Sequence, residues 1–162
     1  MSWMITNTDA KLLENIKNFE GTIQAQTRLG YFKNNKFWQY KDHLGYPTIG
    51  YGHLITINES FRDGLSTAQA DSLLSKDITQ KVLDAKFIYD QYKMDLPQDA
   101  QRVLVEMVFQ MGKAGVMQFK NTLTLLANKN YKAAANGMRN SLWYRQTTNR
   151  AEILAKRIEA CA

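Results

Sequence analysis

Residues 66–92 read STAQADSLLSKDITQKVLDAKFIYDQY. A hydroxyl at Ser66 and an amide at Gln69 stand three residues apart, the spacing at which each side chain caps the other's backbone N–H at the start of a helix. Leu73, Leu74, Ile78, Val82, Ala85 and Ile88 then recur at the period of an amphipathic helix. At 1.5 Å per residue such a helix is about 38 Å long. That is long for a chain of 162 residues, and the helix is expected to act as a strut joining two lobes.

The segments before and after this strut differ in character. Asp9 to Glu20 reads as a helix: Leu12, Leu13, Ile16 and Phe19 recur at helical spacing, Thr8 can cap it and Gly21 stops it. From residue 22 to 57 the pattern becomes strand-like. Tyr31-Phe32-Lys33 and Lys36-Phe37-Trp38 flank Asn34-Asn35, a two-residue turn of hairpin type. A second strand, Tyr46 to Tyr51, follows the turn at His43-Leu44-Gly45, and Ile55 with Ile57 can add a third, making one small antiparallel sheet. After Pro97 the segment Val103 to Met111 is apolar on nearly every side, as in a buried central helix, and shorter amphipathic segments follow near 121–127, 131–141 and 149–160. The expected fold class is α+β, a small β-hairpin lobe and a helical lobe with a cleft between them. It forms a single domain over 1–162, with a β-rich lobe about 21–65, a connecting helix about 66–92, and a helical lobe about 93–162 that also takes the N-terminal helix.

Charge and composition narrow the function classes. Lys and Arg number 21 against 15 Asp and Glu, a net charge of +6 that favours polyanionic partners, whether nucleic acid or an anionic cell wall. The chain has no compact basic cluster, zinc-finger spacing or RNA-recognition motif, which sets nucleic acid aside. No apolar run is long enough to span a bilayer, and MSWMITNTDA lacks the basic-then-apolar pattern of a secretory leader. No stable membrane association is therefore expected. A target outside the cytoplasm would then be reached by another route, through a membrane opened by another protein or by delivery on a particle. Cys161, the sole cysteine, excludes an internal disulfide and reads as a thiol near the chain end.

Three residues are candidates for chemistry. Glu20 ends a helix just where the chain enters the sheet, Asp42 precedes a tight turn, and Thr48 lies in a strand. Each alone has an ordinary explanation: a solvated charge, a turn former, a β-branched strand residue. Together, a carboxyl from the helix and one from the hairpin can face each other across a scissile glycosidic bond, one protonating the leaving oxygen and the other activating water. A neighbouring hydroxyl can position that water.

The stretch Tyr40-Lys41-Asp42-His43-Leu44-Gly45-Tyr46-Pro47-Thr48-Ile49-Gly50-Tyr51-Gly52-His53-Leu54 resembles the active-site hairpin of the T-even phage lysozymes, a family that includes lysozyme domains of tail baseplates. Val108-Phe109-Gln110-Met111-Gly112, followed by Gly115-Val116 and Phe119, is similar to the family's central helix, and Trp143-Tyr144, Gln146-Thr147 and Asn149-Arg150-Ala151 to its C-terminal motif. The resemblance covers about residues 9–155. It implies a muramidase that cuts the β-1,4 bond between N-acetylmuramic acid and N-acetylglucosamine with inversion, without metal or cofactor. Glu20 would be the general acid, with Asp42 and Thr48 holding the attacking water. Leu54, Phe109, Gln110, Thr122 and Asn136 would contact the sugar; Thr122 replaces a serine, and Asn136 neighbours Gly137, where the family has asparagine. His53 would be a structural histidine, best partnered by Asp77. A metal site from His43, His53 and Asp42 has little spacing support.

The resemblance also implies peptidoglycan as the partner and a monomeric protein. One departure stands out. Twenty-one residues separate Glu20 from Asp42, roughly thirteen more than in the family, while the five between Asp42 and Thr48 are kept. A longer first hairpin within 22–39 accounts for this most simply, since loops absorb insertions at modest entropic cost. Its aromatics, Tyr31, Phe32, Phe37 and Trp38, read first as local packing; they could instead wall the saccharide cleft or dock a phage tail partner or inhibitor. A catalytically weak wall-binding module of a phage tail is the alternative to the enzyme.

Overall fold

The computed structural model describes residues 2–162. Two helices, α1 (Ala10–Glu20) and α2 (Ile23–Leu29), precede five short strands, β1 (Phe32–Lys33), β2 (Lys36–Phe37), β3 (Tyr40–Lys41), β4 (Pro47–Ile49) and β5 (His53–Leu54). Six helices follow: α3 (Thr67–Gln91), α4 (Gln98–Met117), α5 (Lys120–Ala127), α6 (Tyr131–Arg139), α7 (Leu142–Gln146) and α8 (Thr148–Glu159). The class is α+β and lysozyme-like, as the sequence implied. Two compact units are present, Asn7–Thr79, and Gln80–Ala162 together with the N-terminal segment up to Thr6; the division falls inside α3.

In the unit Asn7–Thr79, α1 belongs with the strands, not with the helical lobe where the sequence pattern put it. Its last turn is fastened there: Lys17 pairs with Asp71 at 2.8 Å and lies over the Tyr51 ring at 5.0 Å. The cap is Asp9 in place of the expected Thr8, its carboxylate accepting the Leu12 N–H at 2.8 Å. Segment 22–39 is not simply a longer hairpin. It begins with the seven-residue helix α2, capped by Thr22, whose hydroxyl accepts the Ala25 N–H.

The hairpin at Asn34-Asn35 forms as expected, with Phe32 opposite Phe37, Lys33 opposite Lys36, and φ of 54° and 59° at the two asparagines. Those left-handed angles suit the twist of a two-residue turn, and asparagine tolerates them. Phe37 is fully buried, with Phe32 and Tyr51 both edge-on to its ring, so these aromatics build local core. The strands make two sheets where one was expected, β1–β2 and β3–β4–β5. In the second, Tyr40 faces Thr48, and Thr48 in turn faces Leu54. Strand β4 stops at Ile49, before the positive φ of Gly50 and Gly52, and the third strand is His53–Leu54. Ile55 still donates its N–H to the Pro47 carbonyl, whereas Ile57, at 99% exposure, lies outside the sheet.

Helix α3 starts as the sequence predicts: the Gln69 N–H donates to the Ser66 hydroxyl, and the Ser66 N–H to the Gln69 side-chain carbonyl. In the other unit, α4 buries Val103, Leu104, Val105, Met107 and Val108, and its helical path is interrupted at Gly112 (φ 78°, ψ 164°). Helix α6 packs against α5 and α8. Helix α7, unassigned from sequence, is a five-residue turn capped by the Ser141 hydroxyl.

Arg157 on α8 ties this unit together. Its guanidinium donates to both carboxylate oxygens of Asp99 at 2.9 and 3.0 Å and to Glu106 at 2.8 Å, and Glu106 is 0% exposed. Removing one member of a buried pair strands the other charge. Arg157→Met is expected to cost about 3–5 kcal/mol in urea unfolding, and adding Glu106→Leu to it should recover part of that loss. Equal stability of Arg157→Met and wild type would show that the pair does not hold the unit.

Candidate active site

Glu20 is the last residue of α1, where the Gly21 N–H closes the helix on the Lys17 carbonyl. Its side chain extends to the turn between β4 and β5. A Cβ added at Gly52 would stand 2.6 Å from Glu20 Oε2 and 2.8 Å from its carboxyl carbon, and Gly52 has a φ of +83°. The φ favours glycine, and a side chain at 52 would have to push the carboxyl aside. The carboxyl of Glu20 thus lies directly against the backbone of the strand pair that carries Thr48.

The hairpin between β3 and β4 places the other two candidates. Asp42 Oδ1 accepts the N–H groups of Leu44 and Tyr46, both at 2.9 Å, so the aspartate shapes its own turn. Thr48, 3% exposed, donates its hydroxyl to the Tyr46 carbonyl at 2.9 Å. Asp42 and Thr48 therefore both anchor on Tyr46, one on its N–H and one on its C=O. With its proton committed, Thr48 Oγ1 keeps lone pairs with which to accept a hydrogen bond.

Tyr40 was not singled out by sequence reasoning, yet it stands at the centre of this group. It faces Thr48 across the sheet and stacks on Tyr31 with ring centroids 4.2 Å apart and planes 7° from parallel. Its hydroxyl is pushed up to about 12, first by burial and then by the negative charges of Glu20, Tyr31 and Asp42. One phenol thus senses both carboxylates. The sequence offered only proximity: Tyr40 stands two residues before Asp42, at the start of the same hairpin.

His53 has the partner expected and another. Nδ1 lies 2.8 Å from Asp77, and Nε2 lies 3.0 Å from Glu59, whose carboxylate also accepts the Thr56 N–H. With both ring nitrogens engaged, His53 serves structure, and no group of three or more potential ligands among the described residues is placed to hold a metal ion. His43 is exposed on the hairpin turn.

The residues expected to contact sugar are distributed unevenly. Leu54, largely exposed on β5, shares the unit of Glu20, Asp42 and Thr48; Phe109, Gln110, Thr122 and Asn136 lie in the other. Gln110 keeps a buried side-chain carbonyl without a hydrogen-bond partner among the described residues, and Trp143 likewise keeps its indole N–H. Thr122 is buried, its Oγ1 2.5 Å from where a Cβ on Gly137 would stand, so a side chain at 137 would have to displace that hydroxyl. Asn136 is exposed and accepts a hydrogen bond from Arg139 at 3.2 Å.

A helix-terminal carboxyl set beside a hairpin that carries a second carboxyl and a hydroxyl is the equipment of a glycoside hydrolase. The chain belongs to the phage lysozyme family, whose model matches residues 30–160. It is 29% identical over 154 residues to the probable T4-type lysozyme 1 of Dictyostelium discoideum, covering 81% of this chain and 91% of that protein. It is 32% identical over 138 residues to the pre-baseplate central spike protein Gp5 of Enterobacteria phage T4, covering 69% of this chain and 23% of Gp5. It is also 32% identical over 121 residues to the peptidoglycan hydrolase gp36 of Pseudomonas phage phiKMV, covering 74% of this chain and 13% of gp36.

The His53 cluster gives stability a pH dependence. Burial alone would lower the histidine, but the hydrogen bonds and charges of Glu59 and Asp77 outweigh it and raise His53 above its ordinary 6.5. A raised folded value means that the stabilisation is complete below about pH 6.5 and is lost as pH rises through the folded value. Urea unfolding across that window should show wild type losing stability with rising pH more steeply than Asp77→Asn. Parallel pH curves for the two proteins would refute the coupling.

Proposed function

We propose that this lysozyme hydrolyses the β-1,4 bond between N-acetylmuramic acid and N-acetylglucosamine in bacterial peptidoglycan, with inversion at the anomeric carbon. The observation that carries the proposal is the placement of the Glu20 carboxyl against the turn after β4 while Asp42 and Thr48 both anchor on Tyr46 in the same hairpin. The Tyr40 hydroxyl opposite Thr48 is raised by burial first, then by the charges of Glu20, Tyr31 and Asp42. Two carboxyls beside one hydroxyl suit a displacement by water. Glu20 transfers its proton to the glycosidic oxygen as the C–O bond breaks. Water attacks the anomeric carbon from the opposite face and gives up a proton to the Asp42 carboxylate. Thr48 Oγ1, its own proton held by the Tyr46 carbonyl, accepts the water's other hydrogen and so turns a lone pair toward the carbon.

Inversion needs carboxyls roughly 6.5–9.5 Å apart, leaving room for that water. The net charge of +6 favours encounter with an anionic wall, an effect that added salt should weaken. The likeness to the pre-baseplate central spike protein Gp5 supports a tail-borne setting.

Reducing-end release from purified peptidoglycan tests the proposal. Wild type should release ends, and Glu20→Gln, folded and still binding wall, should lose at least about 10²–10⁴-fold in rate. Proton NMR of the fresh wild-type product should show the α-anomer first. Near-full activity in Glu20→Gln would remove the glutamate from the reaction; a first-formed β-anomer, or anhydro ends, would remove the direct attack of water. Wall binding without release by either protein would favour a binding module.

A further inference from the structure

Helix α2, inside the segment that lengthens the Glu20–Asp42 spacing, buries one residue, Gln26, which is 2% exposed. Its side-chain Nε2 donates one hydrogen to the Gly21 carbonyl at 2.9 Å and the other to the Gly50 carbonyl at 3.0 Å. Gly21 follows Glu20, and Gly50 opens the turn that leads from β4 to Gly52. A single NH₂ group therefore fastens the peptide beside the candidate acid to the turn against which that acid's carboxyl rests. The side chain also packs on Gly21, where an added Cβ would be 3.3 Å from Gln26 Cγ.

The remaining polar atom shows that this arrangement is specific. Gln26 Oε1 is buried without a hydrogen-bond partner among the described residues. Gln101 makes the contrast, since its buried amide donates to Ser2 and Leu96 and its oxygen accepts the Met4 N–H. A buried acceptor without a partner is unfavourable, and an apolar side chain of similar length would avoid the cost. What the amide supplies in return is the pair of donated bonds.

The backbone of Gln26 adds a third tie. Its carbonyl accepts the Tyr31 N–H at 2.8 Å, and Tyr31 is the residue stacked on Tyr40 opposite Thr48. From one position, α2 thus reaches the end of α1, the β4–β5 turn and, through Tyr31, the ring of Tyr40.

We propose that Gln26 is a positioning residue for hydrolysis, its side-chain amide fixing the Glu20 carboxyl relative to the strand that bears Thr48. The proposal rests on the reading of Glu20 as general acid. It assigns the 22–39 insertion the work of bracing the catalytic group from behind.

Steady-state kinetics on soluble, uncrosslinked peptidoglycan strands test it, with wild type, Gln26→Met and Glu20→Gln compared well below their melting temperatures. Gln26→Met keeps side-chain length and removes both donors. Its kcat should fall by about 10- to 100-fold, the scale of a misplaced catalytic group, with KM essentially unchanged because no sugar contact is lost. If Gln26→Met does not fold, Gln26→Asn, whose amide is one methylene short of the two carbonyls, is expected to show the same split. Wild-type kcat in a folded Gln26 variant, or a loss that only tracks the unfolded fraction, overturns the proposal. An inactive Glu20→Gln beside a fully active Gln26→Met condemns the positioning role alone; an active Glu20→Gln condemns the reading beneath it.

Discussion

The unit Asn7–Thr79 is built around the contact between the carboxyl of Glu20 and the backbone of Gly52. The φ of +83° at Gly52 favours glycine, and a Cβ there would stand 2.6 Å from Glu20 Oε2, so any side chain at 52 must push the carboxyl aside. The end of α1 and the β4–β5 turn meet there, and other contacts of the unit lie beside it. Lys17, one turn earlier on α1, pairs with Asp71 and lies over Tyr51, next to Gly52. His53, the residue after Gly52, is gripped from both sides by Asp77 and Glu59. A carboxyl confined in this way loses little orientational freedom on reaching a productive geometry, which is how a scaffold contributes to rate.

The hairpin solves a different problem by local means. Asp42, Tyr46 and Thr48 are joined through the two polar groups of Tyr46, so their relative placement depends on a turn of a few residues. Such a unit can travel intact along the chain. Five residues separate Asp42 from Thr48 and twenty-one separate Glu20 from Asp42, so the hairpin group is compact while the link to the helix is long. The added residues lie between one locally determined group and another, where a compact helix and hairpin were accommodated.

Elements governed by short-range chemistry were legible in the sequence. Ser66 and Gln69 form the expected capping box, Asn34-Asn35 make the expected turn, and the apolar period of residues 66–92 becomes the 25-residue α3. Helix α2 was not legible, because its buried residue is a glutamine and its seven residues carry no apolar stripe from which a period could be read. The choice of Asp9 over Thr8 as cap is a one-residue matter between two good capping side chains. The candidate site was legible as three residues matched to a family pattern, but their mutual placement was not. The contacts of Gly52 with Glu20, and of Gln26 with Gly50, join segments distant in sequence, and periodicity carries no information about such pairs. Tyr40 lay between these cases: it stands two residues from Asp42 in the same hairpin, but its stacking on Tyr31 depends on a segment whose fold the sequence pattern did not show.

The measurement that bears most directly on this account is the turnover of Gly52→Ala on purified peptidoglycan, alongside its wall binding and unfolding midpoint. If the contact between Glu20 and the turn sets the geometry of the reaction, the added methyl displaces the carboxyl, and turnover collapses in a protein that still folds and binds wall. Wild-type turnover in Gly52→Ala would mean that the position of Glu20 does not govern hydrolysis, and the central claim would fall.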